Sequence, residues 1–392
     1  MRLALNKSLI GLKQDYLFSE IETRVRKFKL ENPTRRVISL GIGDVTLPLS
    51  PTVVREMERA VLRMGTNDGF LGYGSAQGDI ELRRAIAEYY SDRDVLLDTD
   101  EIFVSDGAKS DLGGLCDLFG DCTALVCEPV YPVYVDVSLM HGRRVRHLRA
   151  GDGAEGSLPS PDGLEREPFL IYLCSPNNPS GAVFSYAELE KWVDFALCSG
   201  SVIIFDAAYE AFICEKDVPH SIFEIPRAKE CAIEVGSFSK MAGFTGIRCG
   251  WSIVPRALPL HSAWKRRQAT KFNGASRISQ SGAIAALSKQ GLAECRQSID
   301  YYMKNAQVLA DLLSECGIEF TGGRNAPYLW VKCPEGEDSW QLFDRLLNDH
   351  AMVVTPGVGF GRAGEGYFRL SAFASSSDTD EAVLRLKSAF DG

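Results

Sequence analysis

Several features that would mark particular classes of protein are missing from this 392-residue chain. No apolar run reaches the roughly 20 residues of a membrane-spanning helix, and the N-terminus lacks the apolar segment of a signal peptide. None of the eleven cysteines forms a Cys-x-x-Cys pair, and the five histidines do not cluster with them, so we expect no metal site. Scattered thiols without a signal peptide are typical of a reducing cytoplasm, where we expect the protein to act.

An excess of basic residues is also missing. The net charge is -9 and the sequence pI is about 5.3, which disfavours nucleic acid and anionic membranes as partners. One basic segment, residues 143–149, is predicted to be a solvated strand edge or turn. With 45% apolar and 24% charged residues, no repeat and no biased tract, the composition is that of a globular protein long enough for two domains.

Short apolar runs alternate with helical stretches through the middle of the chain. This alternation predicts an α/β fold with a mainly parallel sheet between helices, and ligands bind such sheets beyond the carboxyl ends of the strands. The turn before residue 186 predicts a helix at 186–196. The predicted strands are residues 101–105, 123–128, 169–174, 201–205, 232–236 and 250–254.

The two ends of the chain have a different pattern. Residues 1–17 are predicted to form an extended arm, and Ser19 with Glu22 forms a capping-box pattern that predicts a helix start. A long helix at 281–315 and strands at 328–332 and 367–371 indicate a smaller α+β domain. The predicted domains are an N-terminal arm and helix belonging to the small domain (1–45), a large domain (46–275) and a small C-terminal domain (276–392).

The most informative segment is Gly236-Ser237-Phe238-Ser239-Lys240, which is followed by Arg248 and preceded by a strand with Asp206 and Tyr209 after it. A pyridoxal phosphate enzyme requires such groups. The Lys240 amine would form a Schiff base and move the substrate α-proton, and Asp206 would keep the pyridine nitrogen protonated. Taken alone, a lysine after a serine-rich turn is more often a surface residue, and Asp206 could be a helix cap.

The cofactor phosphate needs a dianion site. The turn after the first predicted strand opens a helix, and its backbone N–H groups at Ala108 and Lys109 would point at the phosphate. Hydroxyls and a guanidinium would complete the cradle. These side chains are Ser237, Ser239 and Arg248.

Four further side chains are candidates for contacts to the ring or the substrate. Tyr131 would stack on the ring, whereas Tyr209 and Asn178 would donate to its phenolic oxygen. Tyr131 is equally well explained as a core aromatic, and the Asn-Pro turn at Asn178 is only moderately specific. Arg369 interrupts an apolar strand, so its guanidinium needs an anionic partner: a substrate α-carboxylate or a structural salt bridge.

Together these motifs resemble those of fold-type I, class I and II aminotransferases. Over nearly the full length, the chain resembles the LL-diaminopimelate aminotransferase family in particular. The resemblance implies ping-pong transfer of an amino group from LL-diaminopimelate to 2-oxoglutarate, giving tetrahydrodipicolinate and glutamate, in the biosynthesis of lysine and peptidoglycan precursors. The segments that carry it are YLFSEI (16–21), LGIGD (40–44), GFLGYG (69–74), SDGAK (105–109), TKFNG (270–274) and FRLSAF (368–373).

The same resemblance implies a homodimer with shared active sites. Tyr73 would reach the phosphate of the partner's cofactor, and Asn273 would contact the partner's substrate. Asp68 stands where the family more usually has glutamate, and a shorter carboxylate could leave a gap at the distal ammonium of the substrate. The remaining positions that match substrate contacts of the family are Tyr16, Gly43, Lys109, Tyr131, Asn178 and Arg369.

Two other interpretations remain open. Because fold does not determine substrate, the chain could be another class I and II aminotransferase, acting on aspartate or aromatic amino acids, or a C–S lyase. It could also be a regulatory protein that binds pyridoxal phosphate. Such a protein would usually carry a DNA-binding module or lack catalytic residues, whereas this acidic chain has Lys240, Asp206 and Arg369.

Overall fold

The computed structural model describes residues 6–10, 12, 17–150 and 157–390. The helices are α1 (Lys7–Ile10), α2 (Leu17–Glu31), α3 (Pro51–Met64), α4 (Ile80–Ser91), α5 (Ala108–Leu115), α6 (Val133–Met140), α7 (Tyr186–Ser199), α8 (Phe238–Met241), α9 (His261–Lys271), α10 (Arg277–Leu287), α11 (Lys289–Glu315), α12 (Ser339–His350) and α13 (Ser376–Phe390). The strands are β1 (Ile38–Ser39), β2 (Ile102–Ser105), β3 (Thr123–Glu128), β4 (Arg144–Arg149), β5 (Phe169–Cys174), β6 (Val202–Asp206), β7 (Ala232–Ser237), β8 (Gly250–Ile253), β9 (Phe320–Gly322), β10 (Tyr328–Lys332), β11 (Met352–Val353), β12 (Thr355–Pro356) and β13 (Tyr367–Ser371).

A seven-stranded sheet forms the centre of the larger part of the chain, in the order β2-β8-β7-β6-β5-β3-β4. Only β8 runs antiparallel to its neighbours, so the predicted mainly parallel sheet is confirmed. Successive residues of β5 point to opposite faces, so that Ile171 and Leu173 join one apolar core while Leu170 and Tyr172 join another. Helices cover both faces, which explains why the central strands read as continuous apolar runs.

The predicted strand bounds are close to those observed. β3 and β5 have the predicted ends, and each end of the other four strands lies within one residue of its prediction. The basic segment forms β4 at the sheet edge, as predicted, but Arg143 is buried rather than solvated. Its guanidinium donates to the carbonyls of Cys116, Phe119 and Gly120, which supply the buried charge with hydrogen-bond acceptors.

A second, four-stranded antiparallel sheet has the order β12-β13-β10-β9. Its apolar core combines Ile21 and Phe28 of α2 with Leu309 and Leu313 of α11. The N-terminal helix therefore packs with C-terminal elements, although it lies far from them in sequence. The domain bounds at residues 45 and 275 stay predictions.

Several predicted helix bounds differ from those observed; the helix predicted at 186–196, for example, extends to Ser199. Helix α2 begins at Leu17, so Ser19 lies inside its first turn, where the Ser19 carbonyl accepts from the Thr23 hydroxyl. The long helix predicted at 281–315 is two helices, because Ser288 leaves helical geometry and its hydroxyl accepts from the Gly291 N–H at 3.1 Å. In the N-terminal arm, residues Lys7–Ile10 are helical rather than extended.

The described residues contain no helix long and apolar enough to cross a membrane. Each of the eleven cysteines is a free thiol. Within the same residues, no three His, Cys, Asp or Glu side chains come close enough together to hold a metal ion.

Candidate active site

Lys240 lies on α8, directly after the carboxyl end of β7. Its ammonium donates to the Gly43 carbonyl and lies 5.4 Å from the centroid of the Phe373 ring. Burial lowers the pKa of Lys240 to about 8; the negative charge of Asp44 opposes this effect, and the positive charges of Arg369 and Arg248 add to it. A larger fraction of the amine is therefore neutral, and thus nucleophilic, at physiological pH than for an ordinary lysine.

The depressed pKa of Lys240 gives a direct prediction for the cofactor-free protein. Only the neutral amine reacts with acetic anhydride, so trace acetylation of Lys240 should reach half of its maximal rate near pH 8. In the urea-unfolded chain the same lysine should need a pH of about 10.4. Peptide mass spectrometry over a pH series measures both profiles, and superimposable folded and unfolded profiles would contradict the prediction.

Asp206 ends β6 and is buried. One carboxylate oxygen accepts from the Tyr134 hydroxyl at 2.7 Å, and the other accepts from the Ala208 N–H at 3.1 Å. Burial raises the pKa of Asp206, while these two donors oppose the rise. The helix-cap alternative is not observed, because Asp206 accepts from the N–H two residues on and the next helical turn, Glu210–Phe212, has Tyr209 at its N-cap position. A buried carboxylate of this kind is suited to face a cation such as a protonated pyridine nitrogen.

The turn at Gly107 brings together the groups predicted to bind a phosphate. Helix α5 begins at Ala108, and Gly107 has a φ of 132°, which side-chain-bearing residues rarely adopt. A Cβ atom on Gly107 would lie 2.4 Å from Nη2 of Arg248, so glycine lets the guanidinium approach the helix N-terminus. Nη1 of Arg248 donates to the Ser239 hydroxyl at 3.3 Å, and the Ser237 hydroxyl accepts from the Ser239 N–H. Positive charge and N–H groups thus converge as a dianion requires.

Arg369, on β13, is almost completely buried at 1% exposure. Its Nη1 donates to Oδ1 of Asn178 at 2.6 Å, and its Nη2 donates to the Gly41 carbonyl at 2.7 Å. None of the ion pairs among the described residues includes Arg369, and its Nε has no hydrogen-bond partner. The structural salt bridge considered as an alternative is therefore absent from that part of the chain. A buried guanidinium with neutral partners is well suited to an anionic ligand.

Tyr209 and Tyr328 form a buried pair with their hydroxyl oxygens 2.6 Å apart. The Tyr328 ring also lies 4.4 Å from the Arg369 guanidinium carbon, and its hydroxyl oxygen would lie 2.4 Å from a Cβ on Gly43. Tyr328 thus contacts three of the predicted site residues, although the sequence marked it only as a strand residue. Tyr134 was also missed, and the one available signal was its position three residues after Tyr131 at the start of a helix.

Other predicted site residues lie at the surface. Tyr73 is 92% exposed, and Asp68 and Asn273 are also exposed. Asn273 lies beside the Tyr73 loop, because a Cβ on the next residue, Gly274, would be 2.9 Å from the Ser75 carbonyl oxygen. Lys109 is exposed in the first turn of α5, Tyr131 is half-buried, and Tyr16 lies outside the described residues. In the single chain, Asp68, Tyr73, Lys109 and Asn273 are thus exposed, whereas Asp206, Tyr209 and Arg369 are buried.

Comparison with known proteins gives consistent results. The model of the family "Aminotransferase class I and II" matches residues 35–386. A curated LL-diaminopimelate aminotransferase from Prochlorococcus marinus is 47% identical over 97% of this chain and 98% of its own length. The corresponding protein from Parabacteroides distasonis is 45% identical over 98% of both chains.

Solved structures of aminotransferases have the same fold as this chain. The L,L-diaminopimelate aminotransferase of Chlamydomonas reinhardtii superposes with a TM-score of 0.94 at 40% identity, covering 100% of this chain and 99% of that one. Substrate-bound BacF from Bacillus subtilis superposes with a TM-score of 0.88 at 27% identity, covering 99% and 98%. The predicted α/β fold of type I pyridoxal phosphate-dependent transferases is thereby confirmed.

Proposed function

Because the chain belongs to the class I and II aminotransferase family, we propose that it transfers an amino group between LL-diaminopimelate and 2-oxoglutarate, with tetrahydrodipicolinate and glutamate as products. The chain is an aminotransferase, and the observation that carries its substrate is full-length similarity to relatives named for LL-diaminopimelate. The buried Arg369 agrees with a substrate that carries an α-carboxylate.

Enzymes of this family depend in general on pyridoxal phosphate, and the residues of this chain fit that cofactor. The turn at Gly107, together with Ser237, Ser239 and Arg248, is called the cup at Gly107 here; it leaves no room for a Cβ beside Arg248. The buried Asp206 is suited to face a ring cation, and Lys240 supplies a partly neutral amine. When bound, pyridoxal phosphate supplies an aldehyde that captures amino groups and a ring that withdraws electrons from the substrate α-carbon.

The protein side chains then perform binding and proton transfer. Arg369 would hold the α-carboxylate of each substrate and so orient the α-carbon. Lys240 would take the α-proton and return it at the end of the transfer, a role for which a pKa of about 8 is suitable. Tyr209, fixed by Tyr328, would donate to the phenolic oxygen of the ring.

Turnover with defined substrates tests the proposed function. The purified protein with pyridoxal phosphate, LL-diaminopimelate and 2-oxoglutarate should form glutamate and tetrahydrodipicolinate in equal amounts. Higher kcat/KM with aspartate or aromatic amino acids would favour another aminotransferase. A keto acid formed from a thioether amino acid without 2-oxoglutarate would favour a C–S lyase. Cofactor binding without turnover of any donor would favour a regulatory protein.

We place the reaction in the cytoplasm and in the biosynthesis of lysine and peptidoglycan precursors. All eleven cysteines are free thiols, which is typical of a reducing compartment. The pathway follows from the substrate proposed above.

A homodimer with shared active sites is part of the proposal. Its support is the exposed surface around Tyr73, which is 92% exposed although it is a large aromatic side chain. Exposed apolar side chains of α3 and the following loop extend this surface, as is typical of an interface. They are Val54, Val61, Leu62, Phe70 and Leu71.

Subunit mixing tests whether Tyr73 acts across the interface. Lys240→Ala disables the subunit's own site, whereas Tyr73→Ala should disable the site of its partner. Each variant should be nearly inactive alone, and unfolding and refolding the two together should restore about a quarter of wild-type activity, because half of the dimers are mixed and each has one native site. No recovery, with dimers present by sedimentation, would contradict a contribution across the interface.

Asp68 gives a prediction about substrate selectivity. The side chain is exposed near Tyr73 on the proposed interface, and a glutamate there would reach further toward the distal ammonium of the substrate. Asp68→Glu should raise the ratio of kcat/KM for LL- over meso-diaminopimelate by up to about tenfold, as one improved polar contact allows. Asp68→Asn, which keeps the length and removes the charge, is the matched control. An unchanged ratio in Asp68→Glu would contradict a role for this position in selectivity.

A further inference from the structure

Tyr134 connects two residues that are predicted to contact the cofactor ring. It is 1% exposed and lies near the start of α6. Its hydroxyl donates to Oδ2 of Asp206 at 2.7 Å, and its ring meets the ring of Tyr131 edge-on with centroids 5.8 Å apart. The Tyr134 ring also stacks on the Tyr172 ring, with centroids 5.1 Å apart and an interplanar angle of 11°. The position of the hydroxyl is therefore fixed by packing.

The hydrogen bond has a defined direction, because a carboxylate can only accept. Asp206 is buried and receives one other hydrogen bond, from the Ala208 N–H. The Tyr134 hydroxyl is thus the only side-chain donor to Asp206 among the described residues. Without it, the buried carboxylate would keep only the hydrogen bond from Ala208, which shifts its equilibrium toward the neutral form.

We propose that Tyr134 is a positioning residue for Asp206: its hydroxyl fixes the carboxylate and keeps it negatively charged opposite the ring nitrogen of the cofactor. This inference rests on the proposed function, because it requires that the protein binds pyridoxal phosphate. It assigns Tyr134 no direct contact with the cofactor. The contribution of Tyr134 must therefore depend on the ring nitrogen and on Asp206.

Tyr172 provides a matched control within the same pair of stacked rings. It is also buried, and its hydroxyl contacts Sγ of Cys116 at 3.2 Å instead of Asp206. Tyr172→Phe therefore removes a buried hydroxyl from the same core and leaves the Asp206 contact intact. Any effect of general packing should be similar in the two variants.

The experiment compares the affinity of the cofactor-free protein for pyridoxal phosphate and for an analogue with C–H in place of the ring nitrogen, by absorbance titration. Tyr134→Phe should weaken pyridoxal phosphate binding on the order of tenfold, the usual effect of one hydrogen bond to a charged group, and leave binding of the analogue unchanged. Tyr172→Phe should alter neither affinity. In the Asp206→Asn background, Tyr134→Phe should have no further effect on pyridoxal phosphate binding.

The other outcomes overturn the proposal in distinct ways. Equal weakening of both ligands by Tyr134→Phe would assign Tyr134 a purely structural role, and no weakening of either would remove its role altogether. If Tyr134→Phe fails to fold, the affinity of Asp206→Asn for pyridoxal phosphate provides the test. An affinity equal to that of the wild type would show that Asp206 does not contribute to binding, and this would contradict a role for Tyr134 in positioning it. If wild type does not bind pyridoxal phosphate, the proposed function itself fails.

Discussion

Replacing Lys240 with alanine should lower the transamination rate on the order of a thousandfold or more, because in the proposed mechanism its amine would both attach the cofactor and move the α-proton. The rate of glutamate formation from LL-diaminopimelate and 2-oxoglutarate measures the loss. Borohydride reduction followed by peptide mass spectrometry should find the cofactor mass on Lys240 in the wild type and no such adduct in the variant. Lys216→Ala, which replaces an exposed lysine that has no proposed role in the site, is the control.

Chemical rescue separates the two roles of Lys240. Added methylamine can take and return a proton, so it should restore part of the lost rate in Lys240→Ala without forming a covalent link to the protein. Wild-type turnover in Lys240→Ala would show that another lysine carries the reaction. Such a result would also contradict the proposal that α8 carries the catalytic lysine.

Arg369→Leu should lower kcat/KM by about a hundredfold or more for LL-diaminopimelate and for glutamate alike. Both substrates carry an α-carboxylate, and removing one partner of a buried, hydrogen-bonded charge pair has an effect of this size. Pyridoxal phosphate should still bind, because Arg369 belongs to β13 and not to the cup at Gly107. Arg369→Lys should give an intermediate loss, since lysine keeps the charge but not the two-pronged geometry.

Arg143→Leu is the matched control for Arg369→Leu. Arg143 is also a buried arginine, 4% exposed, and its partners are backbone carbonyls. Its replacement should lower the melting temperature and leave kcat/KM per folded active site unchanged. If both variants lost catalytic efficiency to the same extent, the loss would reflect stability rather than recognition of a carboxylate.

The strands of the large sheet were predicted well from the sequence, because strands that are buried on both faces consist of short, continuous apolar runs. β3 and β5 have the predicted ends for this reason. The polar groups after these strands were also found, since the carboxyl edge of such a sheet collects ligand-binding residues. Asp206 is the last residue of β6, and Asn178 and Lys240 follow the ends of β5 and β7.

What the sequence could not predict are contacts between distant segments. The bond from Lys240 to the Gly43 carbonyl, and the pairing of Tyr209 with Tyr328, depend on how two sheets meet, and no local pattern encodes that. Predictions from local sequence patterns were wrong at positions where two patterns favoured different structures. At Ser288 the apolar periodicity continues through a residue that caps a new helix. At Arg143, charge suggested solvation although packing supplied buried acceptors.

The contact between Gly107 and Arg248 limits the evolutionary paths open to the chain. A side chain at position 107 would need both a smaller neighbour at 248 and a change of backbone away from its φ of 132°. A smaller residue at 248 would remove the guanidinium before any replacement was available. If this turn binds the cofactor phosphate as proposed, either single replacement would impair the site, so we expect substitutions at positions 107 and 248 to be strongly coupled.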